Sequence, residues 1–186
     1  TFTNKAAGEM KARLETLLSP AIARDLWVGT FHSTCAKLLR VHGHAVGVPR
    51  NFVIYDSADQ KAVVTRALRE LDLDDKRYAP RAVLARIHKE KQEGRGPDEM
   101  SQDSYLDDAI RRVYARYEEQ LRAAGAVDFE DLIVLTLKLL RDTPEGVAIR
   151  RRFEYVLVDE FQDTNATQYA LLRAFASEHR NLAVVG

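Results

Sequence analysis

An α/β fold is predicted, with a small parallel sheet interrupted by a long helical stretch, and three observations predict it. Tyr155-Val156-Leu157-Val158 is an unbroken apolar run, the pattern of a strand buried on both faces of a sheet. Asp159 and Glu160 follow at once, at the carboxyl end where open α/β sheets place their ligands. Between about Val41 and Arg150 strand signals become rare, while apolar residues recur at helical spacing.

The remaining elements follow in chain order. Thr1-Phe2-Thr3 reads as a strand end leading into a helix, with Thr3 or Asn4 as its N-cap and Ala7, Met10, Leu14, Leu17 and Leu18 along one side. Ser19-Pro20 ends that helix. Leu26 to Phe31 reads as a second short strand, followed by a helix with Cys35, Leu38, Leu39 and His42 on its apolar side. Gly43 to Arg50 is a loop, Phe52 to Asp56 an extended piece, and Ser57-Ala58-Asp59-Gln60 has the spacing of a capping box. Val63, Val64, Ala67, Leu68 and Leu71 line the next helix, and Pro80 starts another that carries Val83, Leu84 and Ile87. Glu93 to Pro97 breaks the pattern as a mobile loop. The longest periodic helix carries Leu106, Ile110, Val113, Tyr114, Tyr117 and Leu121 and stops near Gly125. Asp128-Phe129-Glu130-Asp131-Leu132 opens one more, running to about Arg141. Tyr169, Leu171, Leu172 and Phe175 mark a helix after the acidic pair, and Leu182 to Val185 a final strand.

Composition bounds the function. The chain has 186 residues, 46% of them hydrophobic, enough for one or two domains with a core. Its 28 basic and 28 acidic residues cancel, so any nucleic-acid contact must come from local placement of charge. Two locally basic arms are candidates: Arg81, Arg86, Lys89, Lys91 and Arg95, then Arg111, Arg112, Arg116 and Arg122. The single cysteine, Cys35, excludes an intramolecular disulfide; a reducing cytoplasmic setting and no membrane span are expected. The start without Met and the close at Gly186, both in strand-like sequence, lead us to expect an internal piece of a longer chain.

A strand ending in Asp-Glu suits nucleoside triphosphate hydrolysis: the first acid can hold Mg²⁺ on the phosphates, and the second can orient or deprotonate a water. The longer string Val158-Asp159-Glu160-Phe161-Gln162-Asp163-Thr164-Asn165 resembles motif II, the Walker B box, of the UvrD/Rep/PcrA group of superfamily 1 DNA helicases. Thr1-Phe2-Thr3-Asn4-Lys5-Ala6-Ala7 is similar to motif Ia of that group, and Thr30-Phe31-His32-Ser33 to motif Ib. Phe52-Val53-Ile54-Tyr55-Asp56-Ser57-Ala58-Asp59-Gln60 and Val127-Asp128-Phe129-Glu130-Asp131-Leu132 resemble the inserted helical subdomain 1B.

The resemblance implies a partial RecA-like P-loop NTPase parallel sheet that lacks its phosphate-loop strand and carries an inserted all-helical subdomain. It implies subdomain 1A over residues 1–35, 1B over 36–150 and 1A again over 151–186. It assigns Asp159 to Mg²⁺, Glu160 to the catalytic base and Gln162 to the link between nucleotide state and DNA. Phe2, Thr3, Asn4, Thr30, Phe31 and His32 become the DNA-contacting set, with ATP as the cofactor. The implied partners are single-stranded DNA and a single-strand/double-strand junction, without a membrane. The implied whole is an ATP-dependent 3′-to-5′ helicase of repair or replication. A helicase–nuclease subunit of the AddA/RecB type and a non-catalytic binding module remain open. No G-x-x-x-x-G-K followed by Ser or Thr occurs in the 186 residues, so the chain alone is expected to be inert in hydrolysis.

Overall fold

A computed structural model describes residues 1–100 and 104–186. Helix α1 spans Asn4–Leu17, α2 Pro20–Asp25 and α3 Phe31–His42. Strand β1, Val53–Ile54, leads to α4 (Ser57–Glu70), α5 (Pro80–Gln92) and α6 (Tyr105–Ala123). Strand β2, Ala126–Val127, then precedes α7 (Phe129–Asp142) and α8 (Pro144–Arg152). Strand β3 (Val156–Val158), α9 (Ala166–Phe175) and β4 (Leu182–Val184) complete the described elements. The strands form two parallel pairs, β1 with β2 and β3 with β4. Parallel pairing is an α/β trait, but helices make up most of the molecule.

Side-chain caps fix most helix starts. Thr3, Thr30, Asp56, Asp128 and Asn165 each accept a hydrogen bond from a backbone N–H of the first turn. The capping box expected from Ser57 begins one residue earlier, at Asp56, whose carboxylate accepts from Ala58 and Asp59. Pro20 and Pro144 open α2 and α8, two helices absent from the sequence reading, since each is too short to display a period.

The buried residues form two clusters. Leu39, Leu139, Leu140 and Leu171 are fully buried in the first, holding α3, α7 and α9 together with Phe52 and Val158. Each such burial contributes about 1.5–3 kcal/mol, far more than the two residue pairs of the β1–β2 ladder supply. Val64, Leu68, Ile87, Val113, Tyr117 and Leu121 centre the second, between α4, α5 and α6. Helices α7 and α8 therefore pack with the flanking elements, although α7 and most of α8 fall inside the stretch 36–150. Gly146 permits the α7–α8 contact: a Cβ there would collide with the carbonyl of Leu139 and stand 2.6 Å from that of Leu140.

Three expectations need correction. Residues 1–3 and 26–30 are not strands and join no ladder among the described residues, although Thr3, Leu26 and Thr30 are extended. The strand before the acidic pair is not covered on both faces: β4 is its only partner among the described strands, and Tyr155 and Leu157 are 71% and 78% exposed. Lys91 does not belong to a basic surface arm, being 3% exposed. Four arginines of the two arms are likewise committed to acids. Arg86 and Arg95 pair with Glu90, Arg111 with Asp108, and Arg116 with Glu70.

Candidate functional site

The acidic pair leaves the sheet where it was expected to. Val158 pairs with Val184, and Asp159 and Glu160 follow at the carboxyl end of β3. Val185 N–H donates to the Val158 carbonyl at 2.9 Å, and Phe161 N–H donates to the Val185 carbonyl at 2.9 Å. These bonds clamp the turn between the two strand ends. Glu160 takes a left-handed backbone, φ 56°, which an L-residue with a long side chain seldom adopts. That conformation swings the chain into a 3₁₀ turn, Phe161–Asp163. Strain of this kind persists only where the surroundings hold it, and it concentrates at functional sites.

Asp159 is half-buried, whereas Glu160 and Gln162 are exposed. Gln162 Nε2 donates to Glu160 Oε2 at 2.6 Å. Among the described residues neither Asp159 nor Glu160 forms an ion pair with Lys, Arg or His. A carboxylate pair with no protein cation suits an added one. Mg²⁺ bound to nucleotide needs only one or two protein carboxylates, because phosphate oxygens and waters fill its other positions. Asp159 could supply such a ligand, and the exposed Glu160 carboxylate could act on a water.

The predicted nucleic-acid set lies at two adjacent helix starts. The Phe2 and Phe31 rings are 5.4 Å apart at 54°, and the amino group of Thr1 lies 3.5 Å from the Gly29 carbonyl. Thr1 lies within electrostatic reach of Asp159, so this edge and the acidic turn are neighbours. Thr3 Oγ1 accepts from Ala6 N–H at 3.1 Å, and Asn4 is exposed. Thr30 is buried and engaged in a reciprocal cap with Ser33. Phe31 is a core residue. Thr30 and Phe31 thus shape the surface more than they line it, leaving Thr3, Asn4 and the half-buried Phe2 accessible.

His32 turns elsewhere. Its ring meets Phe129 edge-on at 5.9 Å, and burial holds its pKa below the ordinary value against the opposing pull of Glu130. It is therefore neutral near pH 7 and can hydrogen-bond without carrying charge. His32 shares a recess of about 90 Å³ with Lys91, Gln92, Glu130, Ile133, Asn165, Thr167 and Gln168. A larger groove, about 640 Å³, runs beside α1 and α3 with Lys11, Glu15, Trp27, Ser33, Thr34 and Lys37 on its walls.

The sequence reading missed an ionic cluster under α5. Lys91 Nζ lies 2.5 Å from Asp131 Oδ1, 2.6 Å from Glu118 Oε1 and 2.7 Å from Asp128 Oδ2. Burial opposes the charge on Lys91, but Asp131, Asp128 and Glu118 outweigh it and hold its pKa well above the ordinary value. Asp128 and Asp131 also form a capping box, a spacing legible in the sequence; the burial of Lys91 was not. Two described groups have metal-ligand spacing, His88/Asp128/Glu130 and Glu118/Asp128/Asp131. Lys91 already fills the second with its own positive charge. Cys35 is buried, and its thiol is pushed up to about 12 by that burial, which leaves it unreactive.

Among the described residues no helix is long and apolar enough to cross a membrane. A family model described as the UvrD/REP helicase N-terminal domain matches residues 1–186. The chain is 44% identical over its whole length to a protein named ATP-dependent DNA helicase PcrA from Bacillus subtilis (strain 168), of which it covers 25%. It is 41% identical to the protein of that name from Leuconostoc citreum, again covering 25%. The corresponding Staphylococcus aureus (strain COL) protein is 40% identical, with 26% covered. The chain thus spans about a quarter of the length of these curated relatives.

Proposed function

We infer that this chain, which belongs to the UvrD/REP helicase N-terminal domain family, supplies the hydrolytic acids and part of the DNA track of an ATP-dependent DNA helicase. The observation that carries this reading is the Asp159–Glu160 couple, without an ion pair to Lys, Arg or His among the described residues, at the carboxyl end of a parallel strand pair and on a turn clamped by Val185. Relatives named as ATP-dependent DNA helicases support it.

In this reading Asp159 would hold Mg²⁺ against the phosphates of ATP, and the bound ion would neutralise charge on the transferring phosphoryl. Glu160 accepts a proton from the attacking water. Its exposed carboxylate points away from the core, and Gln162 orients it through the 2.6 Å bond. A change at the γ-phosphate would reach Gln162 through that bond, and from there the edge formed by Phe2, Thr3 and Asn4. DNA contact falls to those three residues and to His32, with Thr30 and Phe31 setting their frame. Phe2 meets a base and the hydroxyl and amide of Thr3 and Asn4 meet phosphates, the usual division between stacking and positioning contacts.

The finer picture is a RecA-like subdomain 1A made of residues 1–35 and 151–186, with a helical subdomain 1B, residues 36–150, inserted between them. It moves 3′-to-5′ on single-stranded DNA and engages a junction, in a cytoplasmic repair or replication protein. Without a phosphate loop among its 186 residues, the chain by itself does not turn over ATP. The test is Glu160→Gln in the full-length protein. Strand separation should fall by about 10²–10⁴-fold, the usual worth of a general base, while ATP binding persists. Unwinding at the wild-type rate would remove Glu160 from the mechanism.

A further inference from the structure

The most heavily built polar cluster in the molecule plays no part in the mechanism above. Lys91 joins α5 to the first turn of α7 through Asp128 and Asp131, and to α6 through Glu118. Tyr117 OH donates to Asp128 Oδ2 at 2.9 Å, closing the cluster from α6. One further contact reaches out of it. Thr167, buried on the first turn of α9, donates its hydroxyl to the carbonyls of Lys91 at 2.9 Å and Gln92 at 2.5 Å.

We propose that Lys91 and Thr167 are positioning residues, a joint that holds the helix entered from the Asp159–Glu160 turn in register with the segment carrying His32. This rests on the function proposed above and deepens it by naming the route between the two sites. Helix α9 starts directly from the acidic turn through the Asn165–Gln168 capping box, so a shift of residues 159–165 moves Thr167. Thr167 is tied to the last turn of α5, where a helix leaves carbonyls short of donors. Lys91, on that same turn, is bound to the N-terminus of α7. The first residue of α7, Phe129, packs on the His32 ring. Each link is a helix end or a buried ion pair, and close-packed elements transmit a displacement instead of absorbing it. A buried ion pair adds little net stability over apolar packing, so its use here is to specify register.

The experiment is steady-state ATP hydrolysis by the full-length protein, with and without a single-stranded oligonucleotide, in Thr167→Val and Thr167→Ser. In Thr167→Val the stimulation by DNA should drop about fivefold, with the DNA-free rate and the KM for ATP at wild-type values. Thr167→Ser, which keeps the hydroxyl, should restore the stimulation. A Thr167→Val protein with the wild-type ratio, a parallel loss with and without DNA, or equal loss in both variants would each overturn the joint. Glu118→Gln, at a half-exposed member of the cluster, gives an independent reading: a smaller drop in the same ratio is expected, and an unchanged ratio counts against the proposal. Absence of DNA stimulation in the wild type would instead sink the helicase reading itself.

Discussion

Two sets of carboxylates, one around Lys91 and one at the end of β3, are built for opposite purposes. Asp128, Asp131 and Glu118 surround Lys91 in the interior; Asp128 is 0% exposed, and every acid faces the same ammonium. Asp159 and Glu160 stand at the rim of β3 with no ion pair to Lys, Arg or His among the described residues, and Glu160 takes a left-handed backbone. The interior set is neutralised and serves geometry. The rim set carries the function proposed for it above, to hold an added cation. Acidity by itself marks neither; the partner, or the lack of one, separates structure from chemistry.

Removing the shared cation should break the interior set most severely. Lys91→Met leaves buried carboxylates without their charge partner, a loss of about 3–5 kcal/mol measurable as a lower urea midpoint. Glu160→Gln, by contrast, should leave that midpoint unmoved, since the side chain is exposed. Next in size is Gly146→Ala, which tests how rigidly α7 is seated without touching a charge. The added methyl meets the Leu139 and Leu140 carbonyls, for an expected cost of about 1–3 kcal/mol.

The smallest effect is a pH dependence. Burial pushes Asp131 up to about 8 against the pull of Lys91, with Asp128 and Glu118 adding to the rise. A carboxyl with a raised folded pKa holds its proton more tightly in the native state. Its contribution is therefore full below the unfolded value near about 4, and is lost as pH climbs to about 8. Asp128 is held below the ordinary range; burial opposes this, but Lys91 and the hydrogen bonds prevail, so its stabilisation is lost only at acid pH. Burial also lowers the pKa of His32, so that group favours the folded state as pH rises through its ordinary value. Amide-exchange protection of α7 should accordingly fall between pH 5 and 8 more in the wild type than in Asp131→Asn. Identical profiles would show that Asp131 carries no extra proton.

The comparison also explains what the sequence disclosed. The rim set was legible because its neighbours in the chain are also its neighbours in space: Asp159, Glu160 and Gln162 lie on one turn, and Asn165 caps the helix that follows. Helices with a full period, from the Val63 face to the Leu121 face, were legible for the same local reason. The interior set joins residues far apart in the chain, Lys91 to Asp131, and a lysine among other basic residues reads as surface. Strand β2 has two residues, too few for alternation to show. Tyr155 and Leu157 read as buried because an apolar run records where a strand could be covered; among the described strands only β4 pairs with it.

The central claim is that Asp159, which forms no ion pair with Lys, Arg or His among the described residues, serves a metal. Its most direct measurement is the Mg²⁺ dependence of ATP hydrolysis in the full-length Asp159→Asn protein. The Mg²⁺ needed for half-maximal rate should rise about a hundredfold, with the urea midpoint at its wild-type value. An unchanged Mg²⁺ requirement would contradict the account.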